Sequence, residues 1–250
     1  MAYRSQKIPD VQQDNCPGAG RSSNHRDAHS RPADRRGSDQ NYSTQGCPRV
    51  PRAVGAGTHQ MESAVITVRD YESADEQRVL QIFKAGLMQY AVEGSIVKHM
   101  EESFFASKTA PDGDMYCIKK FYSDHPDRNF FVAVCAGEVC GICGAVVSED
   151  GQSVELQRMS VAAESRGQGA GEQLVQAVIA FAAARAVAKV KLGTLDRKVG
   201  AIRLYERHGF RRVNTIRLSK QMFVENFGVS SDEVVNVIEF ELQIGEQGAT

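Results

Sequence analysis

In the run Glu164-Ser165-Arg166-Gly167-Gln168-Gly169-Ala170-Gly171, one arginine leads into three glycines at alternate positions, and an apolar helical pattern follows at once. Glycine lets bare backbone come close to a ligand. The unpaired N–H groups at a helix N-terminus, with the positive end of the helix dipole, attract an anion, and Arg166 adds a cation at the rim. This is chemistry suited to holding phosphate. The spacing departs from the G-x-G-x-x-G of a dinucleotide turn, and Gly171-Glu172-Gln173 lacks the Lys-Ser/Thr of a Walker A loop. A glycine-rich turn without a ligand is the bland alternative, but glycine at a helix start is costly without a steric reason. The expected ligand is a phosphorylated cofactor lying beside the preceding strand.

The elements that must position this loop can be read from periodicity. "AVITVRD" alternates as a strand. "SADEQRVLQIFKAGLMQY" opens on a capping Ser73 and continues with Val79, Ile82, Phe83 and Leu87 at helical spacing. "SIVKHMEESFFASK" reads as a second helix, and residues 128–161 as three strands with turns at Ala136–Glu138 and Glu149–Gln152. After the glycine turn and its helix come a strand at "AKVKLGTL", a helix at "VGAIRLYERHG" closed by Gly209, and strands near "FRRVNTIRLSK" and "VVNVIEFELQI". The predicted order is β-α-α-β-β-β-α-β-α-β-β.

Composition sets the frame for these elements. In 250 residues, 42% are apolar and 24% charged, and the net charge is −1, which makes no case for nucleic acid or a charged membrane surface as partner. The apolar stretch around Leu174–Ala188 is interrupted by Gln176 and Arg185 and is too short to span a bilayer. Residues 1–60 contain no Leu or Phe and carry nine Lys and Arg against five Asp, so they are expected to be a disordered Arg-rich extension. The five aspartates argue against a transit peptide, and no apolar signal core is seen. Met61 stands just before the first strand pattern as an alternative start, and residues 61–250 are expected to form the folded domain. Cys135, Cys140 and Cys143 sit in an alternating strand pattern, which would put positions three apart on opposite faces. With no second C-x-x-C or His pair, they read as reduced core residues in a cytoplasmic, reducing compartment, and no metal is expected.

Three separated motifs now carry a resemblance. Arg166-Gly167-Gln168-Gly169-Ala170-Gly171 fits R/Q-x-x-G-x-G/A, "ELQRMSV" precedes it, and "AIRLYERHGF" fits A-x-x-L-Y-x-x-x-G-F. In this order and spacing they resemble the GNAT superfamily of N-acetyltransferases over roughly residues 64–220. The resemblance implies an acyl-CoA N-acyltransferase fold: a three-layer α+β domain whose central sheet, of about seven strands, is mixed, mostly antiparallel and flanked by helices. "VRDYESADEQRVLQIFKAG", "DMYCIKKFY" and "LQRMSVAAESRGQGAG" are similar to the N-acetyltransferase 8 (camello) group. That group carries a membrane-embedded segment after the first helix, whereas "VEGSIVKHMEESFFASK" here is charged and cannot span a bilayer.

The resemblance implies acetyl-CoA as co-substrate, with Arg166, Gly167, Gln168, Gly169, Ala170 and Gly171 at its pyrophosphate. Acetyl transfer needs a neutral amine, a stabilised oxyanion and a proton for the leaving thiolate. By period two, Glu155, Gln157, Met159 and Val161 share one strand face. By resemblance, that strand splays from its neighbour, the Met159 N–H faces the thioester carbonyl, and Val161 pairs with the pantetheine arm. Tyr205 matches the family tyrosine and is the candidate general acid; the alternative is a tyrosine that only packs its helix on the sheet. Glu155 is the candidate base, against a solvated strand-end carboxylate. Glu164 reads as solvated, and His208 as a helix-end residue suited to the dipole. Lys198 stands where many members have Asn, within expected reach of a phosphate.

The reading is an acetyl-CoA-dependent N-acetyltransferase acting on a primary amine of a small molecule. A protein or peptide N-acetyltransferase and a non-catalytic acyl-CoA-binding regulatory domain stay open beside it, as does a homodimer. No pattern in "MQYAVEGSIVKH" or "QMFVENFGVSSDEV" names the amine.

Overall fold

The computed structural model describes residues 65–245, so the expected disorder of residues 1–60 and the alternative start at Met61 lie outside the described residues. Strand β1 (Ile66–Asp70) leads through a 3-10 turn (Ser73–Asp75) into α1 (Glu76–Met88). The helix buries Val79, Ile82, Phe83 and Leu87, the stripe its periodicity predicts. Ser73 does not cap it. The Asp75 carboxylate accepts the Glu72 N–H at 2.9 Å and is gripped by Arg69 at 2.7 and 2.8 Å, so a carboxylate ends the strand and starts the helix together.

Helix α2 (Ile96–Thr109) is capped by the Ser95 hydroxyl, which accepts the Lys98 N–H at 3.1 Å. A π-helical turn (Lys119–Ser123), not foreseen from periodicity, leads into β2 (Arg128–Cys135), β3 (Glu138–Val147) and β4 (Ser153–Val161). Helix α3 (Ala170–Ala183), β5 (Lys189–Leu195), α4 (Val199–Arg207) and β6 (Arg211–Leu218) follow. The last strand, β7 (Val235–Gln243), comes after an additional helix, α5 (Lys220–Phe227). Helix α5 was missed because it is short and buries only Phe223; its one clear signal is Ser219, whose hydroxyl accepts the Met222 N–H at 3.2 Å.

The strands form one sheet in the order β1-β2-β3-β4-β5-β7-β6, antiparallel throughout except for the parallel pair β4–β5. Helices α3 and α4 cover one face with an apolar cluster that includes Leu174, Val178, Ile202 and Tyr205. The opposite face holds α1 and the π-helical turn over a second cluster with Phe83, Tyr122 and Phe130. This is the expected α+β, three-layer, mixed-sheet architecture.

Two bulges reset the alternation that a regular strand would keep. In β2–β3, Ala133 opposes Gly141 while Val134 opposes Val139, so Cys140 is an extra residue. Cys140 and Cys143 therefore join the same core cluster, below α3, and do not lie on opposite faces as period two predicts. Both thiols are buried, and burial pushes both above their ordinary range, Cys143 well above it. They are neutral core groups, and the Cys143 thiol approaches the Leu174 carbonyl at 3.7 Å. Among the described residues no group of three or more His, Cys, Asp or Glu is placed to hold a metal ion. No described helix is long and apolar enough to cross a membrane.

Candidate active site

The second bulge lies in β4 and shapes the site. Gln157 opposes Gly144 and Ser160 opposes Ile142, so Arg158 and Met159 together oppose Cys143. Arg158 takes φ of 53°, a left-handed conformation that costs a residue with a Cβ about 1–2 kcal/mol. The extra residue turns the strand over. Met159 and Val161 pack with the α3 and α4 cluster, while Gln157 and Arg158 reach Tyr122 and Asp114 on the other face. The expectation that Glu155, Gln157, Met159 and Val161 share one face is thus corrected: Glu155 and Gln157 lie on the side away from Met159 and Val161.

Beside this bulge the sheet opens. Strands β4 and β5 pair only at Ser153–Lys189, Val154–Val190 and Glu155–Lys191. Beyond Glu155, β4 runs on to Val161 and β5 to Leu195 without a rung between them. Their facing backbone groups are left for a third chain-like partner to satisfy.

The glycine loop closes the open end. Gly167 and Gly169 take φ of 75° and 94°, and Gly169 is the cap residue of α3. The next helical bond runs from the Gln173 N–H to the Gly169 carbonyl at 3.1 Å. The N–H groups from Gly167 to Glu172 have no acceptor among the described residues, so a row of donors stands free at the positive end of a helix of 14 residues. Side chains hold the loop from below. Arg166 Nε donates to the Val161 carbonyl at 3.1 Å, and Gln168 Nε2 to the Glu164 carbonyl at 3.0 Å. Gly171 lies against α4, where a Cβ would come within 3.0 Å of Leu204 Cδ2. Glu164 is not simply solvated: its carboxylate accepts from Arg78 Nη2 at 2.6 Å, and Arg78 Nε donates to the Val139 carbonyl at 3.0 Å, tying the loop to α1. Ala170, the first residue of α3, is buried.

Tyr205 comes from α4 into the core below the open strands. Its ring lies 5.8 Å from Phe210 and 6.0 Å from Phe240, and burial, with the Cys143 thiol nearby, pushes its ionisation well above the ordinary phenol. The hydroxyl therefore stays protonated and can only donate a hydrogen or accept one. No hydrogen-bond partner for it is present among the described residues. His208 ends α4 as expected, its Nδ1 2.9 Å from the Leu204 carbonyl. Lys198 stands at the start of α4. Its ammonium is 3.1 Å from the buried Glu101 carboxylate, and contact with a phosphate would require breaking that pair.

A polar group that no local sequence pattern marks lies behind β4. Arg158 grips the buried Asp114 with Nε–Oδ2 at 2.8 Å and Nη2–Oδ1 at 2.9 Å. The fully buried Tyr122 donates to Asp114 Oδ2 at 2.6 Å, and Lys108 Nζ stands 4.0 Å from Oδ1. Burial alone would push the Asp114 carboxyl up; Arg158, then Tyr122 and Lys108, outweigh it and hold the carboxyl below its usual range. Tyr122 is pushed well above the ordinary phenol, by burial first and Asp114 second, so it remains a donor.

Residues 95–210 match the Acetyltransferase (GNAT) family. N-acetylaspartate synthetase of Danio rerio is 31% identical over 190 residues, covering 59% of this chain and 67% of that protein. The chain belongs to the GNAT acetyltransferase family. N-acetylaspartate synthetase of Xenopus tropicalis is 35% identical over 137 residues, covering 55% of this chain and 48% of that protein, so the chain spans about half the length of this curated relative. The probable N-acetyltransferase camello of Xenopus tropicalis is 40% identical over 100 residues, 40% of this chain and 46% of that protein, in line with the group the motifs resemble. Among solved structures, a putative acetyltransferase of Salmonella typhimurium with its cofactor acetyl-CoA superposes with TM-score 0.51 at 19% identity, over 74% of this chain and 96% of that one, which supports the GNAT fold.

Proposed function

We propose that the chain transfers an acetyl group from acetyl-CoA to a primary amine of a small molecule, by direct attack of the amine on the thioester. The observation that carries this reading is the row of free N–H groups from Gly167 to Glu172, set at the end of two parallel strands that part beyond Glu155. A phosphate on those donors would leave a linear arm lying along the unpaired edge of β4, which is the shape and polarity of a pantetheine thioester. The names of the N-acetylaspartate synthetase relatives support a small amine as acceptor.

Acetyl-CoA, when bound, supplies the activated acetyl thioester. The chain's own residues supply the rest. Arg166 and the loop amides neutralise phosphate charge. The Met159 N–H, at the bulge, donates toward the acyl oxygen as it gains negative charge. Tyr205 donates its hydroxyl hydrogen toward the leaving sulfur. Its raised ionisation makes it a weaker acid than a thiol, so it stabilises the developing thiolate as a hydrogen-bond donor and keeps its proton, and the departing thiolate is protonated by solvent. Glu155, on the face opposite α3, approaches the amine from the other side and receives its proton.

The test is free-thiol release from acetyl-CoA with a panel of amines that includes aspartate and a lysine-bearing peptide. Rapid release with a small amine is expected, and release only with the peptide would refute the small-molecule reading. Tyr205→Phe should lower turnover by roughly 10²–10⁴-fold while acetyl-CoA affinity and melting temperature stay near wild type. Parallel loss of stability and activity would reduce Tyr205 to a packing residue.

A further inference from the structure

We propose that the Arg158–Asp114 pair, closed from behind by Tyr122, is a strut that fixes the β4 bulge and thereby aims the Met159 N–H into the opening between β4 and β5; Arg158 is a positioning residue. The proposal rests on the acetyl-transfer reading for its consequence but not for its geometry. Arginine has a Cβ and no intrinsic preference for the left-handed conformation it adopts here. Something must hold it, and the holding contacts come from outside the sheet. Asp114 lies between α2 and the π-helical turn and accepts one hydrogen from Arg158 Nε and one from Nη2, in a fork that fixes direction as well as distance. Tyr122, in the π-helical turn, fixes Asp114 in turn.

The opposite strand leaves room for this arrangement. Gly144 of β3 faces the Tyr122 ring so closely that a Cβ would come within 2.8 Å of its Cε1. The Arg158 guanidinium also lies 5.1 Å from the centre of the Phe104 ring on α2. The strut thus links α2, the π-helical turn, β3 and β4 at the residue immediately before Met159. None of its groups needs to touch the thioester. Its effect passes through one peptide unit, whose direction decides whether the donor meets the developing charge. Such donors act through their fixed placement, because an unheld donor must reorganise as the reaction proceeds.

The experiment combines kinetics with the Met159 amide resonance in protein labelled with 15N-methionine, assigned by comparison with Met159→Leu. Three variants are compared: Asp114→Asn, Arg158→Ala and Arg158→Gly. Asp114→Asn is expected to move the Met159 resonance and to lower turnover by up to roughly 10²–10³-fold, the scale of losing one such donor. Acetyl-CoA affinity measured by calorimetry should stay within about threefold, since the loop amides are untouched. Arg158→Gly should keep more turnover than Arg158→Ala, because glycine takes positive φ freely and alanine does not. If Arg158→Ala does not fold, Asp114→Asn carries the test alone. A wild-type Met159 resonance and wild-type turnover in Asp114→Asn would overturn the strut. So would a fall in turnover matched by an equal fall in acetyl-CoA affinity, which would make the pair merely structural. If wild-type protein acetylates no amine, the functional reading fails separately. The Met159 resonance, recorded with and without acetyl-CoA in wild type and Asp114→Asn, then decides the strut alone.

Discussion

Two buried ion pairs flank the site, and they behave in opposite ways. Asp114 and Arg158 meet through two bonds of 2.8 and 2.9 Å, with a tyrosine hydroxyl on the same carboxylate, and the Asp114 carboxyl is held below its usual range. Glu101 and Lys198 meet through a single contact at 3.1 Å, and the Glu101 carboxyl is raised, by burial above all, despite the lysine. Both carboxylates are nearly fully buried. The difference is in compensation: forked guanidinium geometry plus a neutral donor outweighs desolvation, whereas one point charge does not. The first pair lies behind the strand bulge next to the proposed reacting centre. The second ties α2 to the start of α4.

The widest gap between the pairs should come from removing the cation. Arg158→Met strands a buried carboxylate that is strongly held as an anion, and should cost about 3–5 kcal/mol in urea unfolding at pH 7. Lys198→Met should cost less, about 1–3 kcal/mol, because Glu101 is already pushed toward its neutral form. Equal losses would mean that compensation does not differ between the two. Gly144→Ala probes the better-compensated pair without touching a charge. The new methyl would displace the Tyr122 ring from its seat against Asp114, and overpacking of this kind costs about 1–3 kcal/mol. A neutral result in thermal melts would show that Tyr122 shifts freely and is no part of the assembly.

The smallest and most selective effect is in pH dependence. Asp114 has a folded-state pKa below its unfolded value, so its contribution is present above about pH 4 and is lost as pH falls through the folded value. Glu101 has a folded-state pKa above its unfolded value, so its contribution is full below about pH 4 and is lost as pH rises through the folded value. Measuring unfolding free energy from acid to neutral pH, Asp114→Asn should flatten the slope on the acid side. Glu101→Gln should instead remove a decline that begins as pH rises from the carboxylate range. The same sign of change in both variants would contradict the comparison.

Local signals were readable wherever a function depends on one short segment. The helix of Val79, Ile82, Phe83 and Leu87, the phosphate-type loop at 166–171 and the place of Tyr205 on its helix all follow from spacing within about one or two turns. The Ser73 cap failed because Asp75, only two residues on, makes the better acceptor once Arg69 is beside it. The two bulges were illegible because inserting one residue into a ladder depends on the partner strand, and both Cys140 and Arg158 fit a regular alternation as written. Period two then placed Cys140 and Met159 on the wrong faces.

By itself, the sequence determined the order of most elements and the position of the glycine loop, because hydrophobic period and glycine placement act through near neighbours; the fold class followed from the resemblance its three motifs carry. Only the tertiary structure decided which charges meet. Arg158 and Asp114 are separated by 44 residues. Lys198 is nearly a hundred residues from Glu101, and the parting of β4 from β5 needs both strands in place. The physical reason is that a buried charge is priced by whatever surrounds it in space, and nothing in a local pattern states what that will be.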